Sequence, residues 1–433
     1  MPITMISENY ISNIPATTYK RLVIVGGGFA GLKLALKLYH ENFQIVLIDK
    51  NNYHLFQPLL YQVAMSGLEP SAISFPIRKI FQNTNVQYRM AELLSISPEN
   101  NEIQTTIGLL KYDFLVLATG AKTNFYGNGK IEKYTLQMKS APDALFIRNK
   151  ILENFEEAST KNDAAEIQSY LNVAIIGGGP TGVELSGAMA EMKKYVLPKD
   201  YPELNIASMK IMLFEASSSL LSGMSSTASA GAQEFLDKLG VEVHLNTTVL
   251  DYDGHTLKLS NGVNISVATV IWAAGVTSTK IEGFADNSYG KGNRLMVNPH
   301  NQVQGYTNIF AIGDNSLMPS DSNPNGHPQV AQAALQQAKL LSSNLLRILD
   351  NKPLKEFHYI NKGTMATVGR HRAVADLPFI RTKGFIAWIL WSVVHLHSII
   401  GVKNKLFIFL DWSWKYITYD QALRLLIRHK SKN

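Results

Sequence analysis

Two glycine-rich turns, Gly26-Gly27-Gly28-Phe29-Ala30-Gly31 and Gly177-Gly178-Gly179-Pro180-Thr181-Gly182, stand 151 residues apart in a chain of 433. Their residue types suit one task, the close approach of a pyrophosphate to backbone. The first glycine of each permits a sharp turn, the second lets backbone come near phosphate, and the third lets a helix pack closely on a strand. The helix N-terminus then offers unpaired N–H groups and the positive end of its dipole. Each turn follows an apolar run, Leu22-Val23-Ile24-Val25 or Val173-Ala174-Ile175-Ile176, and opens a helix-like pattern, the context that gives the motif meaning. Two bound dinucleotides are expected.

Three carboxylates follow at telling places. Asp49 closes the apolar run Ile45-Val46-Leu47-Ile48 about twenty residues after the first turn, where a carboxylate accepts the hydroxyls of an adenosine ribose; a plain turn residue is the alternative. Glu215 closes Ile211-Met212-Leu213-Phe214 after the second turn, set back by a polar stretch from Tyr195 to Ser208. A 2′-hydroxyl suits Glu215 and a 2′-phosphate does not, and residues 216–223 hold no Arg, so NADH is favoured over NADPH. Asp314 ends Asn308-Ile309-Phe310-Ala311-Ile312-Gly313. It is either a helix cap or, if the chain has returned to the first domain, a ligand for the polyol of a flavin.

These groups need two copies of one strand, turn and helix plan. Val116-Leu117-Ala118-Thr119-Gly120 and Trp272-Ala273-Ala274-Gly275 repeat a buried strand ending at a small turn, so the likeness extends beyond the glycines. The expected class is α/β, with two Rossmann-like dinucleotide-binding domains and a C-terminal membrane-associated helical segment. The expected boundaries are 19–126 for the first domain, 127–294 for the second, 295–355 for a return to the first, and 356–433 for the tail.

Composition narrows the chemistry. With no cysteine, the chain has no disulfide, thiolate metal site, iron–sulfur cluster or dithiol, so electron transfer falls to an organic cofactor and no metal is expected. Residues 1–20 lack a basic start with an apolar run, and Glu8 argues against an Arg-rich transit sequence, so the chain is expected to stay on the cytoplasmic side. From Arg381 onward nine Lys or Arg face Asp411 and Asp420, a net +7 that equals the charge of the whole chain. The remainder is neutral overall, which argues against a nucleic-acid surface.

GGGFAG with Asp49, HLFQPLLYQVA at residues 54–64, LATGA, GGGPTGVE, WAAGV, FAIGD and AQAALQQA together resemble the type II NADH dehydrogenases, single-subunit NADH:quinone oxidoreductases of the two-dinucleotide flavoprotein superfamily. The likeness runs from about residue 20 to the C-terminus. It implies non-covalent FAD at Gly26, Gly28, Phe29, Ala30, Gly31, Asp49, Ala118, Thr119, Gly120 and Asp314. It implies NADH at Gly177, Gly179, Pro180, Thr181, Gly182 and Glu215, hydride transfer to the flavin, a membrane quinone (menaquinone or ubiquinone) as acceptor, and a homodimer. The protein then supplies orientation, because the cofactors carry the chemistry.

Further residues gain roles from this likeness. Glu184, placed in the first turn of the second glycine helix, either simply favours the helix dipole or acts as an orienting or proton-handling group. Gln332 and Gln336 stand four apart and share a helix face; they are solvated glutamines on an amphipathic helix or donors to quinone carbonyls. Gly384 to Val402 lacks charged residues, yet Ser392, His395 and His397 interrupt it. With Trp388, Trp391, Trp412 and Trp414 beside Lys403, Lys405, Lys415, Arg424 and Arg428, the tail suits helices lying on an anionic lipid surface. A domain-packing helix and a single-span anchor are the alternatives. Lys383 either lies near the quinone entrance or contacts lipid.

The expected function is two-electron transfer from NADH through FAD to quinone on the cytoplasmic face of a membrane. No proton pumping is expected, since polytopic segments with buried ionisable relays are lacking. The enzyme alternative hands electrons to a ferredoxin or rubredoxin, for which a Trp-rich basic tail has no use. A flavin-stabilised interaction protein is the non-enzymatic alternative. Disulfide and sulfide:quinone reductases need the cysteines this chain lacks.

Overall fold

The computed structural model describes residues 9–320, 323–418 and 424–426; Glu8 and Arg428 lie outside the described residues. The chain divides into two compact units, each discontinuous in sequence. The first holds residues up to His54, Phe75–Lys122 and Val276–Asn361, and the second Leu55–Ser74, Thr123–Gly275 and the chain from Lys362.

These divisions differ from the expected ones. The chain rejoins the first unit at Val276, ahead of residue 295, because Ile281, Phe284 and Tyr289 pack against the first unit's core alongside Leu295 and Val297. The tail is part of the second unit. There the turn after strand Thr364–Thr367 lies so close to helix Pro180–Tyr195 that a Cβ on Gly187 would sit 2.5 Å from the Gly369 nitrogen.

The core of the first unit is a parallel sheet in the order Ile309–Ala311, Phe114–Leu117, Lys20–Val25, Phe43–Asp49, Gln87–Met90. Its inner strands are nearly continuous apolar runs, as a sheet covered on both faces requires. Helix Phe29–Leu38 packs on helix Ala331–Leu349. An antiparallel meander, Leu93–Ser97, Glu102–Thr105 and Gly108–Lys111, completes the plan.

The second unit repeats it. Strands Leu136–Gln137, Thr269–Trp272, Val173–Ile176, Ile211–Phe214 and Glu242–His244 form a parallel sheet in that order. A meander of Val249–Tyr252, Thr256–Leu259 and Asn264–Ser266 accompanies it. To this the unit adds an antiparallel sheet, Thr364–Thr367, Ala373–Leu377 and Ile380–Gly384, followed by helices Phe385–Ser398 and Val402–Thr418.

The apolar run Gly384 to Val402 is therefore not one helix. It ends at Ser398, where Ile399 turns extended and Gly401 adopts a φ of +81°. Among the described residues no helix is long and apolar enough to cross a membrane. The outer faces of the two helices nonetheless leave Ile386, Val393, Val402, Leu406, Phe407, Leu410, Trp414 and Ile417 more than half exposed.

Candidate active site

The two glycine turns agree atom for atom. Gly26 N–H donates to the Ile48 carbonyl at 2.7 Å, and Gly177 N–H to that of Phe214 at 2.8 Å. The middle glycine, Gly27 or Gly178, donates to Asp49 or Glu215 at 2.6 Å. The second carboxylate oxygen takes the N–H of Asn51 or Ser217, each at 2.7 Å. Each acid therefore holds its own turn. Burial raises the pKa of Asp49 against these N–H donors.

The spaces around the glycines test whether dinucleotides fit. Gly26 and Gly177 have φ of +109° and +111°, and a Cβ on either would strike the small turn after the neighbouring strand, at Ala118 or Ala273. A Cβ on Gly31 or Gly182 would lie 1.9 Å from the Gly26 or Gly177 carbonyl oxygen. Gly28 and Gly179 instead have nothing within 4 Å, and no side chain caps the helices that begin at Phe29 and Pro180. Open space facing uncapped N–H groups is what a pyrophosphate requires. Thr181 and Pro180 lie in the first turn of the second of these helices.

In the first unit the remaining expected contacts cluster at the carboxyl ends of the parallel strands, where ligands of such sheets bind. Ala118, Thr119 and Gly120 follow strand Phe114–Leu117, and Asp314 follows strand Ile309–Ala311, so the chain has returned as the flavin reading required. A Cβ on Gly313 would meet Ala30 of one helix and Ala334 of the other. Gln337, unassigned from sequence, accepts the Gly313 N–H at 2.7 Å and donates to Ser316 at 3.2 Å, fixing the turn that carries Asp314. Arg294, buried, pins the loop over the small pocket beside Asp314 by donating to the carbonyls of Asn325 and His327. His54 packs edge-on against Phe29 at 5.3 Å and bonds the Gly27 carbonyl at 2.9 Å.

Gln332 and Gln336 do share a face of helix Ala331–Leu349, but they are not equivalent. The Gln336 amide is engaged at both ends by Ile360, donating to its carbonyl at 2.8 Å and accepting its N–H at 3.0 Å. It ties down an extended segment, with one N–H of the amide left over.

In the second unit Glu184 is the fifth residue of helix Pro180–Tyr195, beyond the first turn, which removes the helix-dipole explanation. It is buried, and loss of solvent raises its pKa to about 8 although it accepts the Thr367 backbone N–H. Burial thus favours the neutral carboxyl. Two turns on, Glu191 accepts the Arg370 N–H, and burial raises its pKa as well.

Glu191 lines a cleft of about 690 Å³, open mouth included. Tyr61, Trp388, Trp391, Trp412 and Tyr416 wall it, with Ala188 and Glu191 on the glycine helix. Trp391 is 2% exposed, and its indole N–H has no hydrogen-bond partner among the described residues. Three of the four tail tryptophans therefore serve a cleft, and only Trp414 is left well exposed for a lipid surface. Lys383 is not at this cleft. Its ammonium reaches Glu234 at 2.6 Å and lies over the Phe235 ring.

Residues 20–338 match the family of pyridine nucleotide-disulphide oxidoreductases, and residues 361–418 match the NDH2 C-terminal domain. Over 415 residues the chain is 34% identical to the type II NADH:quinone oxidoreductase NdhA of Mycobacterium tuberculosis, spanning 92% of this chain and 87% of that one. The chain belongs to the type II NADH:quinone oxidoreductases. A Haemophilus influenzae member of that family is 29% identical, with 92% and 98% of the two chains covered. NDH2 from Plasmodium falciparum, solved in complex with NADH, has the same fold at a TM-score of 0.87, with 24% identity and coverage of 94% and 100%. A ferredoxin reductase from Rhodopseudomonas palustris shares the fold at a TM-score of 0.65 over 83% and 82%. The tail domain separates the type II family from the carrier-protein alternative.

Proposed function

We propose that the chain oxidises NADH, passes two electrons through non-covalently bound FAD and reduces a membrane quinone without pumping protons. The acid-locked turn of the first unit, with Asp314, would hold FAD, and that of the second would hold NADH. FAD supplies the chemistry of accepting a hydride and passing on two electrons. The overall reaction, NADH + H⁺ + quinone giving NAD⁺ + quinol, takes up one proton. A neutral carboxyl at Glu184, with its pKa near neutrality, suits a group that handles it.

The cleft carries the quinone assignment. Indole and phenol rings offer flat apolar walls, and Trp391, which lines the cleft, has a buried indole N–H, a donor only, without a partner among the described residues. Apart from the cleft, whose walls do not include Gln332, the amide of that residue in the AQAALQQA motif supports a donor to a quinone carbonyl. Narrowing the cleft by Ala188→Phe is expected to raise the quinone KM while NADH still bleaches the flavin; an unaltered quinone KM would remove the cleft from the reading.

The exposed apolar faces of the tail helices, beside Lys403 and Lys405, support attachment to an anionic lipid surface on the cytoplasmic side, where NADH is found. Flotation with anionic and with neutral vesicles tests it, the anionic ones being the stronger binders. A homodimer is part of the same proposal, with sedimentation in detergent as its test.

A further inference from the structure

We propose that Tyr61 presents its hydroxyl proton to a quinone carbonyl in the cleft, and that Trp412 of the C-terminal helix sets this polarity through Gln62. The inference rests on the cleft being the quinone's site.

An indole N–H can only donate. Trp412 Nε1 does so to Gln62 Oε1 at 2.9 Å, which fixes the orientation of the amide. The Gln62 NH₂ group must then face Tyr61, and it donates to the phenolic oxygen at 3.0 Å. Tyr61 Oη is thereby an acceptor with its own proton still to place. Its other neighbour is Thr367 Oγ1 at 2.9 Å, a hydroxyl able to donate or accept.

Two settings follow. Either Tyr61 gives its proton to Thr367, or Thr367 donates as well and the phenolic proton turns to the cleft that Tyr61 lines. In the second setting Tyr61 accepts two hydrogen bonds and gives one. A carbonyl oxygen, which only accepts, selects that setting. Burial and the nearby Glu184 both raise the pKa of Tyr61, so the phenol stays protonated across the working pH range.

The residue that sets the polarity sits on helix Val402–Thr418, whose outer face exposes Leu406, Phe407, Leu410 and Ile417. The same helix holds the Leu55–Ser74 segment at two further points. Asn404 donates to the Ser71 and Ala72 carbonyls, and Lys415 to that of Gly67. Acceptor recognition and the surface helix are thus joined by one chain of hydrogen bonds.

The test uses the FAD-loaded protein with a soluble quinone, with ferricyanide, which has no carbonyl, and with anaerobic flavin reduction by NADH. Tyr61→Phe is expected to raise the quinone KM about tenfold, the effect of one lost hydrogen bond. Flavin bleaching by NADH and ferricyanide reduction should keep the parent rates. Gln62→Glu keeps the tyrosine but makes its neighbour an acceptor that captures the phenolic proton. It should raise the quinone KM similarly, and the loss should ease as the pH falls and the new carboxyl takes up a proton. A parent-like KM in Tyr61→Phe, or a Gln62→Glu loss that ignores pH, overturns the inference. If Ala188→Phe raises the quinone KM while these two variants do not, the cleft reading stands and this inference falls; if Ala188→Phe leaves it unchanged, the cleft reading itself falls.

Discussion

Replacing Gly179 by Ala separates a glycine kept for a ligand from one kept for the fold. Gly179 has φ −73° and ψ −179°, extended backbone open to any residue, and no atom lies within 4 Å of where its Cβ would be. The apo fold should not suffer, and loss of unfolded-chain freedom should add about 0.4–1 kcal/mol of stability. A methyl group there nevertheless occupies the space through which pyrophosphate approaches in the proposed NADH site. Overpacking of that kind costs about 1–3 kcal/mol, or roughly 5- to 150-fold in NADH affinity. Gly182→Ala is the contrast. Its Cβ would lie 1.9 Å from the Gly177 oxygen, so it should lower Tm and weaken NADH together. The assay is an NADH titration of the FAD-loaded protein, with flavin content and Tm measured on the same sample. Parent-like NADH affinity in Gly179→Ala, or loss of FAD along with it, would refute the division of labour between the turns.

Glu184→Gln is expected to remove the limb near pH 8 from the pH profile of quinone reduction. Its stability effect has a definite sign. The folded pKa lies above the unfolded value of 4.5, so the native state loses stability as pH rises between the two; the variant should gain on the parent over that interval by up to about 5 kcal/mol and hold a constant lead above it. Gln337→Leu leaves the Gly313 N–H without its partner, a cost of about 1–3 kcal/mol, and should weaken FAD retention on gel filtration. Gln336→Ala should lower Tm through the two lost bonds to Ile360, about 1 kcal/mol each, while Gln332→Ala should act on the quinone KM. Lys383→Ala, which breaks an exposed ion pair, should leave the quinone KM within about twofold of the parent.

The nucleotide-binding half of the fold was legible because its constraints are local. A glycine forced to φ +109° and a helix packed within contact of a turn leave marks at fixed spacing, and the buried parallel strands are continuous apolar runs. Asp49 and Glu215 were found at their strand ends, but their bonds to Gly27 and Gly178 were not, since an acid–turn contact across 22 or 37 residues has no periodic signal. The division at Val276 was missed because meander residues such as Phe284 carry no mark of which core they join. The partners of Gln336 and Lys383, Ile360 and Glu234, are hidden for the same reason, being set by tertiary packing. Tyr61 and Gln62 stood inside a motif that pointed to the family, yet their bonds to Thr367 and Trp412 span 306 and 350 residues. The tail's composition was read as a lipid-facing belt, but composition does not tell which face a tryptophan takes.

The most direct measurement follows the flavin absorbance of the purified protein without oxygen as NADH and then a soluble quinone are added. NADH should bleach the band near stoichiometry and quinone should restore it, with one quinol formed per NADH. A flavin that NADH leaves oxidised, or that quinone fails to reoxidise, would contradict the account.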